Sequence, residues 1–140
     1  MEAGNAKLLV IDHETVLRSL LVNVLKTDFQ VWFCDNCLMG LQILSEGYTP
    51  DIIILEYNSP KLNGLQFLKE IRGSGYFKDL SIVVQTNTSG VSIANACSDY
   101  SVDLIVSKPY DPIWLKNRVT EIIRGKNNSA YPLITNRQAS

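Results

Sequence analysis

Six polar residues stand at places where an apolar run gives way to a loop. Asp12, His13 and Glu14 follow one run directly, Glu56 ends a second, Thr86 ends a third and Lys108 follows a fourth. Lys108, set just before Pro109, reads most simply as an ion-pair partner for the Glu56 and Asp12 carboxylates. His13 is the single histidine, which excludes a multi-histidine metal cage. A transition ion held by Asp12, His13 and Glu56 is chemically conceivable because imidazole suits zinc or nickel. A hydrogen-bonded pocket histidine is the simpler expectation.

These residues can act together only if the fold gathers them, and the pattern of the chain says that it does. Strand-like runs at Lys7 to Ile11, Gln30 to Cys34, Ile52 to Glu56, Ser81 to Gln85 and Asp103 to Val106 alternate with segments of helical period. The central run Ile52-Ile53-Ile54-Leu55 is apolar throughout, as a parallel strand buried on both faces requires. The first helix, Glu14 to Thr27, repeats Val16, Leu17, Leu20, Leu21, Val24 and Leu25 along one stripe. Asn36 to Glu46, Gly64 to Arg72, Val91 to Tyr100 and a last helix opening at Asp111-Pro112 follow. The fourth helix carries few large apolar residues and is the weakest packed. Alternation of this kind predicts a doubly wound α/β fold, five parallel strands and five helices. Crossovers of one hand bring the strands' carboxyl ends to one edge, where ligands of open α/β sheets gather.

Composition narrows the function. With 13 Lys and Arg against 14 Asp and Glu in 140 residues, the chain has no strong field of either sign, so binding to nucleic acid or to an anionic membrane is not expected of this domain. No apolar run approaches the ~20 residues of a spanning helix, and a cytoplasmic location is the expectation. Three cysteines are an odd count, suited to reduced thiols. Cys34-Asp35-Asn36-Cys37 has the C-x-x-C spacing of zinc and redox pairs. With no second ligand pair for zinc, both thiols read as packing residues, as does Cys97. Trp32 and Trp114 read as packing too, Trp114 with a share in a docking face.

Several short motifs occur in a telling order. Leu8 to Glu14 resembles the acidic motif that opens a response regulator receiver domain, Ile52 to Gly64 its phosphoacceptor strand and turn, Val84-Gln85-Thr86 the strand ending in a switch hydroxyl, and Ser107-Lys108-Pro109-Tyr110 its lysine-proline-aromatic element. The resemblance covers about residues 7 to 124. It implies the CheY-like, flavodoxin-like strand order 2-1-3-4-5, a domain over residues 1–125 and a flexible tail or start of a linker over 126–140. It also implies a magnesium ion held by the acidic pair and an aspartate that accepts a phosphoryl group.

The departures from that pattern fall together. Glu56 occupies the phosphoacceptor position, and His13 occupies the position of the second acid. Magnesium prefers oxygen ligands, so its site, reduced to Asp12, Glu56 and the backbone carbonyl of Asn58, is weakened. The extra methylene of Glu56 advances its carboxylate by ~1.5 Å, toward Lys108 or the Thr86 hydroxyl. Ile105 stands where the family carries a rotating aromatic ring. The expectation is therefore a degenerate receiver, a pseudo-receiver of two-component signal transduction that is no enzyme and acts by binding protein. Its expected partners are a sensor kinase, an adaptor or a fused output domain. The expected partner face is the fourth helix, fifth strand and fifth helix, with Asn95, Ser98, Tyr110 and Trp114 as contacts, and a homodimer through the same face is compatible. Two alternatives stand beside it. One is a receiver that still takes up phosphate and removes it. The other is a flavodoxin-like cofactor binder, although the acidic loop Asp12 to Thr15 lacks the amides and hydroxyls that cradle a phosphate.

Overall fold

The computed structural model describes residues 5–125 and 133–135. Five strands form the body of a parallel sheet: β1 (Lys7–Ile11), β2 (Gln30–Cys34), β3 (Ile52–Glu56), β4 (Ser81–Thr86) and β5 (Leu104–Ser107). They lie in the expected order 2-1-3-4-5. Between and after them run α1 (Thr15–Leu25), α2 (Cys37–Ser45), α3 (Gly64–Gly73), α4 (Gly90–Cys97) and α5 (Pro112–Gly125).

The pleat divides the strand residues between two cores. Leu8, Val10, Ile52, Ile54, Val83, Leu104 and Val106 face α1 and α5, meeting Leu21, Leu25, Leu115 and Val119. Leu9, Ile11, Ile53, Leu55, Ile82, Val84 and Ile105 face the other helices, around the fully buried Phe67 of α3. This is why β1, β3, β4 and β5 read as near-continuous apolar runs, their residues having a dry side to fill, whereas the edge strand β2 leaves Trp32 and Phe33 exposed. Cys34, Cys37 and Cys97 are buried free thiols. Burial pushes Cys34 up to about 11 and Cys37 up to about 12, which removes the thiolate that redox chemistry needs.

Helix starts follow the side chains that cap them. Asn36, Asn63 and Ser89 accept hydrogen bonds from the amides of Met39, Gln66 and Val91, and the Asp111 carboxylate accepts one from Ile113. Two elements differ from the sequence reading. The segment expected as one helix to Tyr100 breaks at Cys97 into a single 3-10 turn, Ser98–Tyr100, ending at Ser101 with φ of 54°. Arg72 holds that end, donating to the carbonyls of Tyr100 and Ser101. The second difference lies in the stretch 126–140. Leu133–Thr135 forms a sixth strand, β6, parallel to β5 at the edge of the sheet. Three residues are too few to show a period, so the strand is invisible in the sequence. The rest of that stretch lies outside the described residues.

Phe67 fills the centre of one layer, so Phe67→Ala is expected to lower unfolding free energy by about 3–5 kcal/mol. A urea titration followed by circular dichroism checks it.

Candidate functional site

The carboxyl ends of β1, β3, β4 and β5 do bring the expected residues together. Lys108, one residue past β5, extends its ammonium into a ring of carboxylates: Nζ lies 3.1 Å from Asp12 Oδ1, 2.7 Å from Glu14 Oε1 and 2.9 Å from Glu56 Oε1. Asp12 and Glu56 are buried, while Glu14 sits at the mouth. The other Glu56 oxygen, Oε2, is 2.6 Å from His13 Nδ1 and accepts a longer bond of 3.3 Å from the His13 amide. An ionised carboxylate can only accept, so Nδ1 carries the proton of this bond. Both oxygens of Glu56 are thus engaged by cationic or N–H donors.

The electrostatics follow from that wiring. Burial pulls the Glu56 carboxyl upward, but the bonds from His13 and Lys108 outweigh it and hold the group below its ordinary 4.5. Asp12 goes the other way. Its burial dominates over the Glu14 amide and Lys108 and lifts the group above its ordinary 3.8. Its Oδ2 is 3.1 Å from the ammonium yet too poorly aligned for a hydrogen bond. Lys108 is disfavoured by burial and rescued by Glu14 and Glu56, whose bonds keep it charged.

Local structure explains how the loops reach this arrangement. The Asp12 carboxylate accepts the Glu14 amide at 2.9 Å, which turns the chain so that His13 faces Glu56. After β3, the chain passes Lys61 at φ of 72° and returns to Gly64, whose amide bonds the Tyr57 carbonyl at 2.9 Å. A Cβ on Gly64 would come within 2.7 Å of the Tyr57 Cα. Only glycine permits this turn to lie flat against the end of β3.

Thr86 is placed differently from one of the expectations. Its hydroxyl bonds Asn58 Oδ1 at 3.3 Å and the Thr88 hydroxyl at 3.0 Å rather than Glu56. The Asn58 side chain also accepts the Asn87 amide at 3.1 Å, so this residue, expected to offer only its carbonyl, ties the β3 and β4 loops together. Ile105 is buried in the core, as a residue without a ring exchange to make. Tyr110 does not belong to the partner face. It is only 5% exposed, with its hydroxyl on Gln85 Oε1, because its ring fills the α1 and α5 core. Asn95 and Ser98 are exposed, Trp114 is half-buried against that core, and Ile113, 57% exposed, takes the surface place expected of Tyr110.

Sequence reasoning missed Arg18. Its guanidinium donates to the Asp12 carbonyl at 3.0 Å and to Asp35, and lies over the Phe33 ring. It is the one lysine or arginine between Lys7 and Lys26, and that isolation was the available signal. Gln85, buried on β4, was missed as well, being a polar residue inside an apolar run.

Ligand atoms of Asp12, His13 and Glu56 lie within 4.8 Å of one another, so the site can be tested for a metal. Magnesium does not fit it. One donor is an imidazole, Glu56 spends one oxygen on that imidazole, and the Lys108 ammonium already lies among the carboxylate oxygens.

The comparisons agree with the fold. Residues 8–120 match the response regulator receiver domain family. CheY1, a chemotaxis protein of Helicobacter pylori, is 26% identical over 124 residues, covering 87% of this chain and 99% of that protein. Protein RcaC of Microchaete diplosiphon is 30% identical over 128 residues, 91% of this chain but 19% of RcaC. Among solved structures, a receiver domain protein of Clostridium thermocellum superposes with a TM-score of 0.75 at 24% identity, covering 86% of this chain and 96% of that one. A CheY-like receiver of Methanospirillum hungatei reaches 0.78 at 15% identity, covering 86% and 95%. The chain belongs to the response regulator receiver domain family. It is a receiver module of two-component signalling.

Two measurements probe the pocket. Lys108→Met strips the ammonium from the carboxylates and is expected to cost about 3–5 kcal/mol of stability. Adding Glu56→Gln to it should recover part of the loss in denaturant titrations. The second is pH dependence. Because the folded Glu56 titrates below 4.5, its contribution is complete at neutral pH and is lost as pH falls below about 4.5 through its folded value. Asp12 is shifted the opposite way, so the informative quantity is the stability gap between wild type and Glu56→Gln. That gap should narrow from pH 7 to pH 3.5, and a constant gap would contradict the ion-pair assignment.

Proposed function

We propose that this receiver signals without phosphorylation, as a module whose pocket is wired internally and whose surface binds a protein partner in one fixed form. The observation that carries the reading is the double engagement of Glu56: Oε1 on Lys108 and Oε2 on His13. Attack on a phosphoryl group needs a free carboxylate oxygen in line with the phosphorus, and a cation to take up the charge that develops. Here the oxygens are taken and the lysine is held between Asp12, Glu14 and Glu56. A carboxylate displaced by ~1 Å or more also loses about a hundredfold in rate from geometry alone.

The domain then works as a binding module and not as an enzyme, with no magnesium requirement. A sensor kinase, an adaptor or a fused output domain would be its partner, and neither nucleic acid nor membrane would contact it. No helix among the described residues is long and apolar enough to cross a membrane, and a cytoplasmic location suits the reading. The exposed residues Asn95 of α4, Ser98 of the turn that follows it and Ile113 of α5, with the edge of Trp114, form the contact face. A homodimer would use the same face. The cofactor-binding alternative is disfavoured by the acidic loop after β1, where Asp12 and Glu14, joined by Glu56 of β3 on the Lys108 ammonium, leave no amide cradle for a phosphate.

Intact-mass analysis after incubation with a small-molecule phosphodonor and magnesium tests the proposal. Wild type is expected to gain no phosphoryl adduct, whereas Glu56→Asp with His13→Asp gains one. An adduct on wild type that disappears in Glu56→Gln would establish the alternative, a receiver that accepts phosphate on glutamate.

A further inference from the structure

We infer that β2 is a self-association edge: two copies of this chain pair their β2 strands antiparallel about a two-fold axis at Trp32, joining their sheets. The contact lies at the other end of the strand order from α4 and β5, and it stands independently of whether Glu56 accepts phosphate.

Among the described residues no strand pairs with the outer flank of β2. The ladder fixes which of its groups are bare. The Gln30 amide donates to the Ala6 carbonyl and the Cys34 carbonyl accepts from the Asp12 amide, so Gln30, Trp32 and Cys34 turn their backbone groups toward β1. Alternation then turns the N–H and C=O of Val31 and Phe33 outward. Edges of this kind are usually guarded by lysine, proline or a bulge. Gln30 to Cys34 carries no charge and no proline, and it pairs with β1 residue by residue without a bulge. Trp32 and Phe33 are each 53% exposed, Trp32 stacked on Tyr48 at 4.6 Å and Phe33 beneath the Arg18 guanidinium. Each ring is held by one neighbour and stands half in solvent.

The occupant that fits is a second copy, because the strand is complementary to itself. Laid antiparallel with Trp32 opposite Trp32, Val31 of each copy faces Phe33 of the other. These are the residues with outward groups, so both pairs exchange N–H and C=O bonds and none of those groups is left over. A shift of one residue would set outward groups against inward ones. The two indoles then meet in a non-hydrogen-bonded pair, where cross-strand side chains come closest. Phe33 meets Val31 on the other face, beside α1. Charge follows the same direction. Antiparallel pairing brings the exposed Asp35 carboxylate, just past the end of one strand, toward Lys26 beside the start of the other. Lys26 forms no ion pair among the described residues and, with Arg18, Val22 and Phe33, lines a groove of about 250 Å³. A net charge of -1 sets no long-range repulsion between copies. A five-residue strand and two half-exposed aromatics per copy make a small contact, of the weak class below ~1,200 Å², so dissociation in the micromolar range is expected. The pairing is isologous and closes at two copies. It leaves the α4 and α5 face of each copy at the far end of the joined sheet, free for its own partner.

Sedimentation velocity and hydrogen exchange on the full chain, from about 1 μM to about 300 μM, test this. Wild type is expected to pass from monomer to dimer, with exchange of the Val31 and Phe33 amides slowing about tenfold across the series. The Trp32 and Cys34 amides, already bonded to β1, should be protected at both ends of it. Trp32→Lys sets like charges across the axis and is expected to weaken the dimer about tenfold. Phe33→Pro removes an outward donor while sparing the β1 ladder, and should do the same. Circular dichroism checks that these variants keep the fold. Should they lose it, Lys26→Glu, outside the ladder, is read in their place and is expected to weaken the dimer about threefold. Ile113→Asp on α5 should leave self-association unchanged. The inference is overturned if wild type stays monomeric throughout, or if it dimerises with the Val31 and Phe33 amides exchanging as in the monomer. It is overturned also if Ile113→Asp dissociates the dimer and Trp32→Lys does not, since the contact would then lie on the α4 and α5 face.

Discussion

The ammonium of Lys108 is the charge on which the cleft depends. Three carboxylates, from the loop after β1 and from the end of β3, converge within 3.1 Å of it. Two of them are buried, where like charges without a counter-ion would repel and lose hydration together. One cation on β5 therefore fixes the relative positions of β1, β3 and β5 at their carboxyl ends. His13 supplies the remaining donor, so that the glutamate is held from both sides. The arrangement leaves Asp12 as the least satisfied member, which is why its carboxyl is shifted up while that of Glu56 is shifted down.

Strand alternation decides which groups can meet in this cleft. Asp12, Glu56 and Lys108 continue the register of Leu8 and Val10, of Ile52 and Ile54, and of Leu104 and Val106, the residues that face α1 and α5. Thr86 continues the register of Ile82 and Val84, which face the other layer. The longer arm of Glu56 accordingly reaches the lysine on its own side of the pleat, and the threonine hydroxyl turns to Asn58 and Thr88. The pocket separates into an ionic half and a neutral half. Asn58, two residues after Glu56, ties the β3 loop to the β4 loop through its amide oxygen, so a change in the position of β3 relative to β4 would be felt at the Thr86 loop that leads into α4.

Most of this was legible in the sequence because it depends on period and position. Apolar runs between helical segments determine a parallel, doubly wound sheet, the resemblance to the receiver family supplies its strand order, and the polar residues that end those runs must lie at one edge. What escaped was set by packing or by single contacts. Tyr110 follows a surface-like lysine and proline, yet its ring is the piece that closes the α1 and α5 core, a matter of volume that no spacing reveals. Glu56 was expected to reach Lys108 or the Thr86 hydroxyl, and it is the lysine that it meets, since the Thr86 hydroxyl leaves the other side of the pleat. Arg18 lay in a helix recognised by its apolar stripe, and its role beside Asp12 and Asp35 needs the neighbouring loop to be in place.

The strand β6 shows how the same physics extends past the recognisable domain. A βαβ connection through α5 returns the chain to the side of the sheet where β5 is bare, so an apolar triplet arriving there finds unpaired backbone groups and no competing contact. Its residues need no helical or strand period, because one triplet in extended form satisfies the edge. One strand serves both the ionic cleft and the β6 edge: Leu104 to Val106 pairs outward with β6, and the strand leads directly into Lys108. Any shift of β5 along its axis must be accommodated at both.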